Sequence, residues 1–560
     1  MRRIEAHEVP LHEVFSSDFS FRIPEYQRPY AWQRDQAEQL LEDLVDTLAR
    51  AEDEPYFLGS VVLVKEPETA GADVIDGQQR LATLTILFAL LRDLAGEAEL
   101  ERELDERVRE PGSILRGLQA QPRLRLRDRD QTFFAERVQT PGATAELVTV
   151  DPTTLLTDAQ RAIGDNASAL RARVTTWSPE QRLALVQMLA RRTFLVVVST
   201  PDLASAHRIF SVMNARGLDL SAADIFKSLV IGRIGETSDG EASAYADKWE
   251  DAEEQLGRDG FGDLFLHIRM IFAKERARKE LLKEFGEQVL ARYLPNAPTS
   301  FVDHVLVPYA DAYRRLRDCD YVAARGARDV NLSLRRLHQV DNNDWRPPAL
   351  WALHQRSDDP DWLARFLRAL ERLAASMLIR RAYATPRATR YAAVLRALEN
   401  GDGLEADALE LPADEKAETL SRLQGEVYQV NAVRKFVLLR LDEVLANNPG
   451  VVYDRKIITI EHVLPQTPAP DSHWLADFSD DERAYWTHRL ANLVLLNRSR
   501  NSAAQNYEFD RKKSEYFTSG NGVATFALTT QVIAEPEWTP STLARRQDDL
   551  IGALATEWRL

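Results

Sequence analysis

The chain has 560 residues, 44% of them apolar and 28% charged, an ordinary globular composition for about three or four domains, which excludes a disordered or collagen-like chain. Its 71 basic and 87 acidic residues leave a formal net charge of −16, so it does not coat nucleic acid indiscriminately, and any such contact is confined to local patches. No run approaches the ~20 apolar residues of a membrane span, and MRRIEAHEVPLHEVF lacks the apolar core of a secretion signal; a cytoplasmic chain without membrane contact is expected.

In DQAEQLLEDLVDTLAR, residues Leu40, Leu41, Leu44, Val45 and Leu48 form a helical stripe, with Asp35 expected as its N-cap. YFLGSVVLV (56–64) and FLVVVST (194–200) are β-branched runs, expected as buried strands. Between them, QQRLATLTILFALLRDLAG repeats Leu81, Leu84, Leu87, Leu91 and Leu94 at helical spacing and is expected to stop at Gly96. PRLRLRDRD alternates Arg123, Arg125 and Arg127, either a local nucleic-acid contact or solvated charge on an exposed strand or helix. From about 240 to 445, Leu, Ala, Arg and Glu recur every three to four residues, giving a helical middle with turns or boundaries at 238–243, 401–404 and 447–450. After Gly450, VVYDRKIITIEHVLP is strand-like, and TPSTLARRQDDLIGALATEWRL is an amphipathic terminal helix capped near Ser541. The expected class is α+β, mostly helical: mixed α/β over 1–235, a helical middle over 236–449, and a C-terminal unit with the terminal helix over 450–560.

VIDGQQRLATL ends a short strand at Asp76 and Gly77 and opens the long helix with Gln78, Gln79 and Arg80. Free N–H groups at a helix N-terminus, the helix dipole, a permissive glycine and an arginine make an anion site suited to phosphates. A plain strand, turn and polar cap fit the same spacing. FRIPEYQRPYAW adds Arg28, Tyr30 and Trp32 beside two prolines, a stiff loop with aromatic faces for a base and a cation for phosphate. FSVMNARGLDLSAADIFKS adds Asn214, Arg216, Gly217, Asp224 and Lys227; there, Ser221 with Asp224 also fits a capping box, and Asp224 with Lys227 an i, i+3 ion pair.

Taken in order, IPEYQRPYAW, FLGSVVLV, VIDGQQRLATL and NARGLDLSAADIFKS resemble the N-terminal domain of the GmrSD restriction family. The resemblance implies a ParB-like fold and a nucleoside triphosphate site formed by Asp76, Gly77, Gln78, Gln79 and Arg80, with Arg28 and Tyr30 nearby. No Walker lysine loop occurs, so a P-loop enzyme has no support.

In ITIEHVLPQT, Glu461 and His462 end a strand, and LANLVLLNRSRN follows with Asn492 and Asn501. A one-metal phosphodiesterase needs a base for water, ligands for the cation and a rigid frame; one histidine, one carboxylate and two asparagines meet that list. Adjacent strand residues face opposite ways, so Glu461 and His462 serve one site only where the strand ends or bends. Cys319, the single cysteine, excludes an internal disulfide and a four-cysteine zinc site and leaves oxygen and nitrogen ligands for a hard cation. A second basic cluster, Arg498, Arg500, Arg511, Lys512 and Lys513, reads as a DNA contact or as solvated charge.

EHVLPQ followed by ANLVLLN and Asn501 resembles HNH endonucleases of the ββα-metal type, including the C-terminal domain of the GmrSD family; the step from Asn492 to Asn501 also matches the HNH domain of CRISPR effector nucleases. The resemblance implies His462 as general base, Glu461 and Asn501 as ligands of Mg2+ or Mn2+, and Asn492 as the residue orienting the loop that presents the base. It also implies Lys513, or its neighbour Lys512, as a contact to the scissile phosphate. Asn501 stands where many HNH enzymes carry histidine, which suits Mg2+ and speaks against tight transition-metal binding.

Together the two ends imply a nucleotide-regulated, Mg-dependent DNA endonuclease with NTPase activity, a type IV (modification-dependent) restriction enzyme that cuts modified phage DNA in antiphage defence. The implied partners are DNA and one of GTP, UTP, CTP or ATP, with homo-oligomerisation left open. Two rivals share the architecture: an SspE-like protein that senses phosphorothioated DNA and nicks its target, and a noncatalytic ParB-like nucleotide-dependent DNA clamp. The intact set Glu461, His462, Asn492 and Asn501 argues against the clamp.

Overall fold

Six segments pair into one mixed sheet in the computed structural model, which describes residues 4–49, 55–112, 114, 119–201, 205–206, 221–446, 458–497, 507–517 and 526–560. They are β1 (Glu5–Pro10), β2 (Ser20–Arg22), β3 (Tyr56–Lys65), β4 (Gly71–Asp76), β5 (Leu124–Arg125) and β6 (Thr193–Thr200). Their order across the sheet is β1-β6-β3-β4-β2-β5. The two β-branched runs expected as strands, β3 and β6, lie side by side in parallel, while β4 returns antiparallel to β3. Strand alternation sends Val61, Leu63, Leu195 and Val197 into one core and Val62, Ile75 and Val198 into another.

The helices packed into the larger of these cores include α1 (Arg34–Leu48), α2 (Gln78–Asp93) and α3 (Asp158–Val174). α2 is buried on all faces: Leu81, Leu84, Leu87 and Leu91 are joined by Thr83, Thr85 and Arg92. Both threonines return their hydroxyl protons to the carbonyls four residues back, and Arg92 binds Asp93, Asp105 and the carbonyls of Val138, Gln139 and Thr140, so no buried donor is stranded. α1 is capped by Gln33 through a reciprocal box with Gln36, not by Asp35, which lies in its first turn. α2 ends at Asp93, before Gly96.

The expected basic stripe at Arg123, Arg125 and Arg127 is mostly internal. Arg123 is buried against Glu110 at 3.0 Å, Arg127 is buried between Asp130 and Glu250, and only Arg125 is exposed. The alternation follows the partners of the flanking elements rather than solvent.

Two compact units emerge, Met1–Glu254 with Ala291–His304, and Gln255–Leu290 with Val305–Leu560. Around the expected break at 238–243 the chain turns at 236–238 and then continues as helix over Asp239–Ala273, interrupted at Gly257 with φ +70°. Within the second unit, α4 (Pro360–Ile379), α5 (Ala384–Asn400) and α6 (Asn431–Ala446) belong to the expected helical middle. β7 (Ile458–His462) and β8 (Leu493–Asn497) then form an antiparallel pair with His462 opposite Leu493. The terminal helix α7 (Pro540–Trp558) is capped by the Thr539 side chain, which accepts from the Thr542 N–H, two residues before the expected Ser541. Among the described residues no helix is long and apolar enough to cross a membrane.

Two candidate functional sites

The N-terminal candidate is built on a turn that only glycine fits. Between β4 and α2, Gly77 adopts φ +91°, and a Cβ on it would lie 2.8 Å from Val61 Cγ2. A register shift in β3 between Phe57 and Ser60 contains Gly59 at φ +110°, and a Cβ there would meet the Arg80 guanidinium at 3.0 Å. Gly59 thus clears room for Arg80, whose Nη1 donates to the Ser60 carbonyl at 3.0 Å. Burial pulls Arg80 below its ordinary pKa against the opposing charge of Asp76. Burial likewise pushes the Asp76 carboxyl up, against the Gly77 N–H and the charges of Arg80 and Arg28. The Arg28 Nε is buried without a partner.

The other motif residues hold the loop 28–32 in place. Gln79 Oε1 accepts from the N–H groups of Ala31 and Trp32 at 2.7 and 3.1 Å, and its Nε2 donates to the Pro29 carbonyl. Tyr30 is buried in the core, its hydroxyl 2.7 Å from Thr83 Oγ1 and accepting from Asn166 Nδ2; burial pushes its pKa up to about 12. The ring therefore presents no open face of the kind expected from the sequence. Among Arg28, Tyr30, Gln78, Gln79, Arg127 and Asp130 lies a pocket of about 10 Å³, room for one water.

Asn214, Arg216 and Gly217 lie outside the described residues. The Ser221–Asp224 capping box is present. Lys227 pairs not with Asp224 but with Glu250 at 2.5 Å, fully buried; burial, reinforced by Arg127, pulls its ammonium well below the usual lysine range.

The C-terminal candidate sits where β7 ends, with Glu461 and His462 both buried and paired with Val494 and Leu493. Glu461 is buried, and its Oε1 accepts from Lys512 Nζ at 3.0 Å; the same ammonium donates to the His462 carbonyl at 2.6 Å. Burial raises the Glu461 pKa and lowers that of Lys512, each opposed by the other's charge. The His462 ring has Gln466 Nε2 3.2 Å from its Nδ1, while its Nε2 is buried without a partner. Burial, then the neighbouring His488, Lys512 and Arg434, pull its pKa down to about 3, so the imidazole is neutral at pH 7.

Asn492 is a fully buried clamp. Its Oδ1 accepts from the Leu464 N–H at 2.7 Å, and its Nδ2 donates to the carbonyls of Leu464 and Thr487. The loop leaving His462 is thereby tied to the start of β8. Behind the clamp, Trp538 Nε1 donates to Asn492 Oδ1, Arg546 Nε to the Ala491 carbonyl, and the Ala491 N–H to Gln547 Oε1. Asn501, Arg498 and Arg500 lie outside the described residues.

Residues 11–231 match the GmrSD restriction endonuclease N-terminal domain, and residues 412–553 match the GmrSD restriction endonucleases C-terminal domain. The chain belongs to the GmrSD restriction endonuclease family. No curated protein matches it.

Within this GmrSD protein Lys512, not Lys513, meets the Glu461 carboxylate and the His462 carbonyl, while Asn492 ties down the loop that follows His462. Lys513 Nζ donates instead to the Glu535 carbonyl at 2.6 Å, and Arg511 pairs with Glu515. The cluster 511–513 is accordingly not one exposed basic patch. Sequence reasoning also missed Tyr428 and His488. Tyr428 meets the His462 ring edge-on at 4.2 Å and stacks on His488 at 5.5 Å. The one signal for them was a histidine just ahead of LANLVLLN; nothing marked the tyrosine.

Proposed function

We propose that this GmrSD-family restriction endonuclease is a nucleotide-regulated, divalent-cation-dependent nuclease acting on modified phage DNA through an HNH-type site at Glu461 and His462, with a nucleotide site at Asp76–Arg80 of a ParB-like N-terminal domain. The observation that carries the reading is the His462 imidazole, whose buried Nε2 has no hydrogen-bond partner among the described residues and whose pKa burial pulls down to about 3. For the imidazole to take a proton from water at Nε2, its own proton sits on Nδ1, and the Gln466 side chain turns its amide oxygen to accept it. Asn492 fixes the loop that carries the base, and the Lys512 ammonium opposes the rise that burial gives the Glu461 pKa.

The Glu461 carboxylate is a hard oxygen donor of the kind Mg2+ or Mn2+ takes, and His462 is left free to act as the base. Glu461 together with Asn501 would hold Mg2+ or Mn2+, which when bound supplies charge stabilisation at the phosphate. At the other site, the unpaired Arg28 Nε, Arg80 and the Gly77 turn fit a nucleotide's phosphates. The small pocket behind them excludes the nucleotide from the interior and leaves it the surface of the turn.

The test compares cleavage of unmodified, glucosylated-hydroxymethylcytosine and phosphorothioated DNA, each with and without Mg2+ and nucleoside triphosphate. Mg-dependent cutting of a modified DNA, altered by nucleotide, is expected. Folded His462→Ala protein should lose about 100-fold or more of that cutting and keep nucleotide hydrolysis, with the reverse for Arg80→Ala. Cutting at the wild-type rate by His462→Ala would remove the HNH reading, and unchanged nucleotide turnover by Arg80→Ala would remove the turn from the nucleotide site.

A further inference from the structure

Four cations gather in the second compact unit, around a cleft of about 420 Å³ between the segment after the kinked helix and α5. Lys274, Arg276 and Arg278 line one wall; Thr385, Thr389 and Arg396 line the other, and Glu275 is the only carboxylate of the lining. Like charges repel, and this chain carries a net −16, so such a cluster is not the average of its surface.

Hydrogen bonds hold the cations in place without neutralising them all. Arg396 Nη1 donates to the Lys274 carbonyl at 2.8 Å, and Arg276 donates to Thr385 Oγ1. Lys274 pairs with Glu399 at 2.8 Å. Arg278 is 79% exposed and reaches Glu275 only at 3.9 Å, and neither Arg276 nor Arg396 has a carboxylate partner among the described residues.

We propose that this cleft binds the phosphodiester backbone of DNA, as a contact additional to the nuclease site. A pocket for a small anion encloses its ligand with a few convergent buried groups. Here the cations are spaced along two open walls, as a polymer with one charge per ~1.7 Å of axis requires. The inference rests on the family's action on DNA and not on the nucleotide reading.

The full chain is titrated in EDTA with an unmodified duplex of about 30 base pairs, long enough for several phosphate contacts, by fluorescence anisotropy over a salt series. R276Q/R278Q should weaken binding and flatten the log–log salt slope by about two, close to one per lost phosphate contact. R365Q/R368Q, which removes the same charge from exposed positions on α4, should leave the slope at its wild-type value. Circular dichroism verifies folding, and Arg278→Glu alone, at the most exposed of the four, should flatten the slope by about one if the double variant misfolds. An unchanged slope in the cleft variants overturns the proposal while leaving the nuclease reading standing, as does an equal loss in the α4 control. Loss of ATP binding with the DNA slope intact assigns the cleft to free nucleotide and also overturns it. A wild-type chain that binds no DNA overturns both this and the DNA-cutting function.

Discussion

The Lys512 ammonium stands 3.0 Å from the Glu461 carboxylate, with the lysine side chain fully buried. Removing one partner of such a pair strands the other charge, at a cost of about 3–5 kcal/mol. Lys512→Met should therefore destabilise the second unit by that order, and Glu461→Gln combined with it should recover part of the loss. Lys513→Met loses a bond to a backbone carbonyl, worth about 1.5 kcal/mol or less, and a cation–π contact with Phe509, worth about 0.5–1 kcal/mol. Urea midpoints of the three variants check this; equal effects at 512 and 513 would refute the assignment of Lys512 to the site.

Asn492→Ala strands the Leu464 N–H and the carbonyls of Leu464 and Thr487 inside the protein. Each unsatisfied group costs about 1–3 kcal/mol, so the variant should melt well below the wild type. In whatever fraction stays folded, the loop after His462 is released, and amide exchange at Val463 and Leu464 should quicken. Unchanged protection there would mean that the clamp does not hold the loop.

Gly77→Ala meets both a left-handed φ and Val61 Cγ2 at 2.8 Å, whereas Gly96→Ala meets a left-handed φ of +75° in open space. The backbone alone costs roughly 1–2 kcal/mol, so the change at 77 should exceed the change at 96. Nucleotide affinity should fall only at 77. Equal losses at both positions would show that the turn tolerates a side chain.

His267 is buried with its Nε2 unpartnered and its ring edge-on to Tyr313 at 5.3 Å. Burial, then the charge of Arg346, pull its pKa from 6.5 down to about 3. Between those values the unfolded chain binds the proton and the fold does not, so stability is present above pH 6.5 and lost as pH falls toward 3. The slope is at most about 1.4 kcal/mol per pH unit. Thermal melts from pH 7 to 4 should show a shallower decline in His267→Leu than in the wild type; identical slopes would exclude the imidazole as a source.

What the sequence disclosed depended on how local the cause was. The leucines of α2 and the β-branched residues of β3 and β6 reveal their elements because period and branching are properties of a short window. The Gly77 turn and the strand end at Glu461 and His462 were equally visible. That Lys512 rather than Lys513 meets Glu461 was not: it depends on the winding of 512–516 and on a carboxylate far away in the chain. Arg127 was misread for the same reason, since Glu250, which buries it, lies on a distant helix. Tyr30 was read as a free aromatic because Asn166, which ties it down, sits within an unremarkable stretch of α3.

The contacts of Trp538, Arg546 and Gln547 with Ala491 and Asn492 impose an order on synthesis. A ribosome extends the chain from its N-terminus, and folding follows as segments emerge. Until residues 538–547 have appeared, the Ala491 carbonyl and N–H lack the partners that α7 provides, and the Asn492 clamp stands without the indole behind it. A half-made or prematurely terminated copy would thus carry Glu461 and His462 without the frame that aims them. The frame around the loop after His462 is therefore complete only once residues 538–547 have been made.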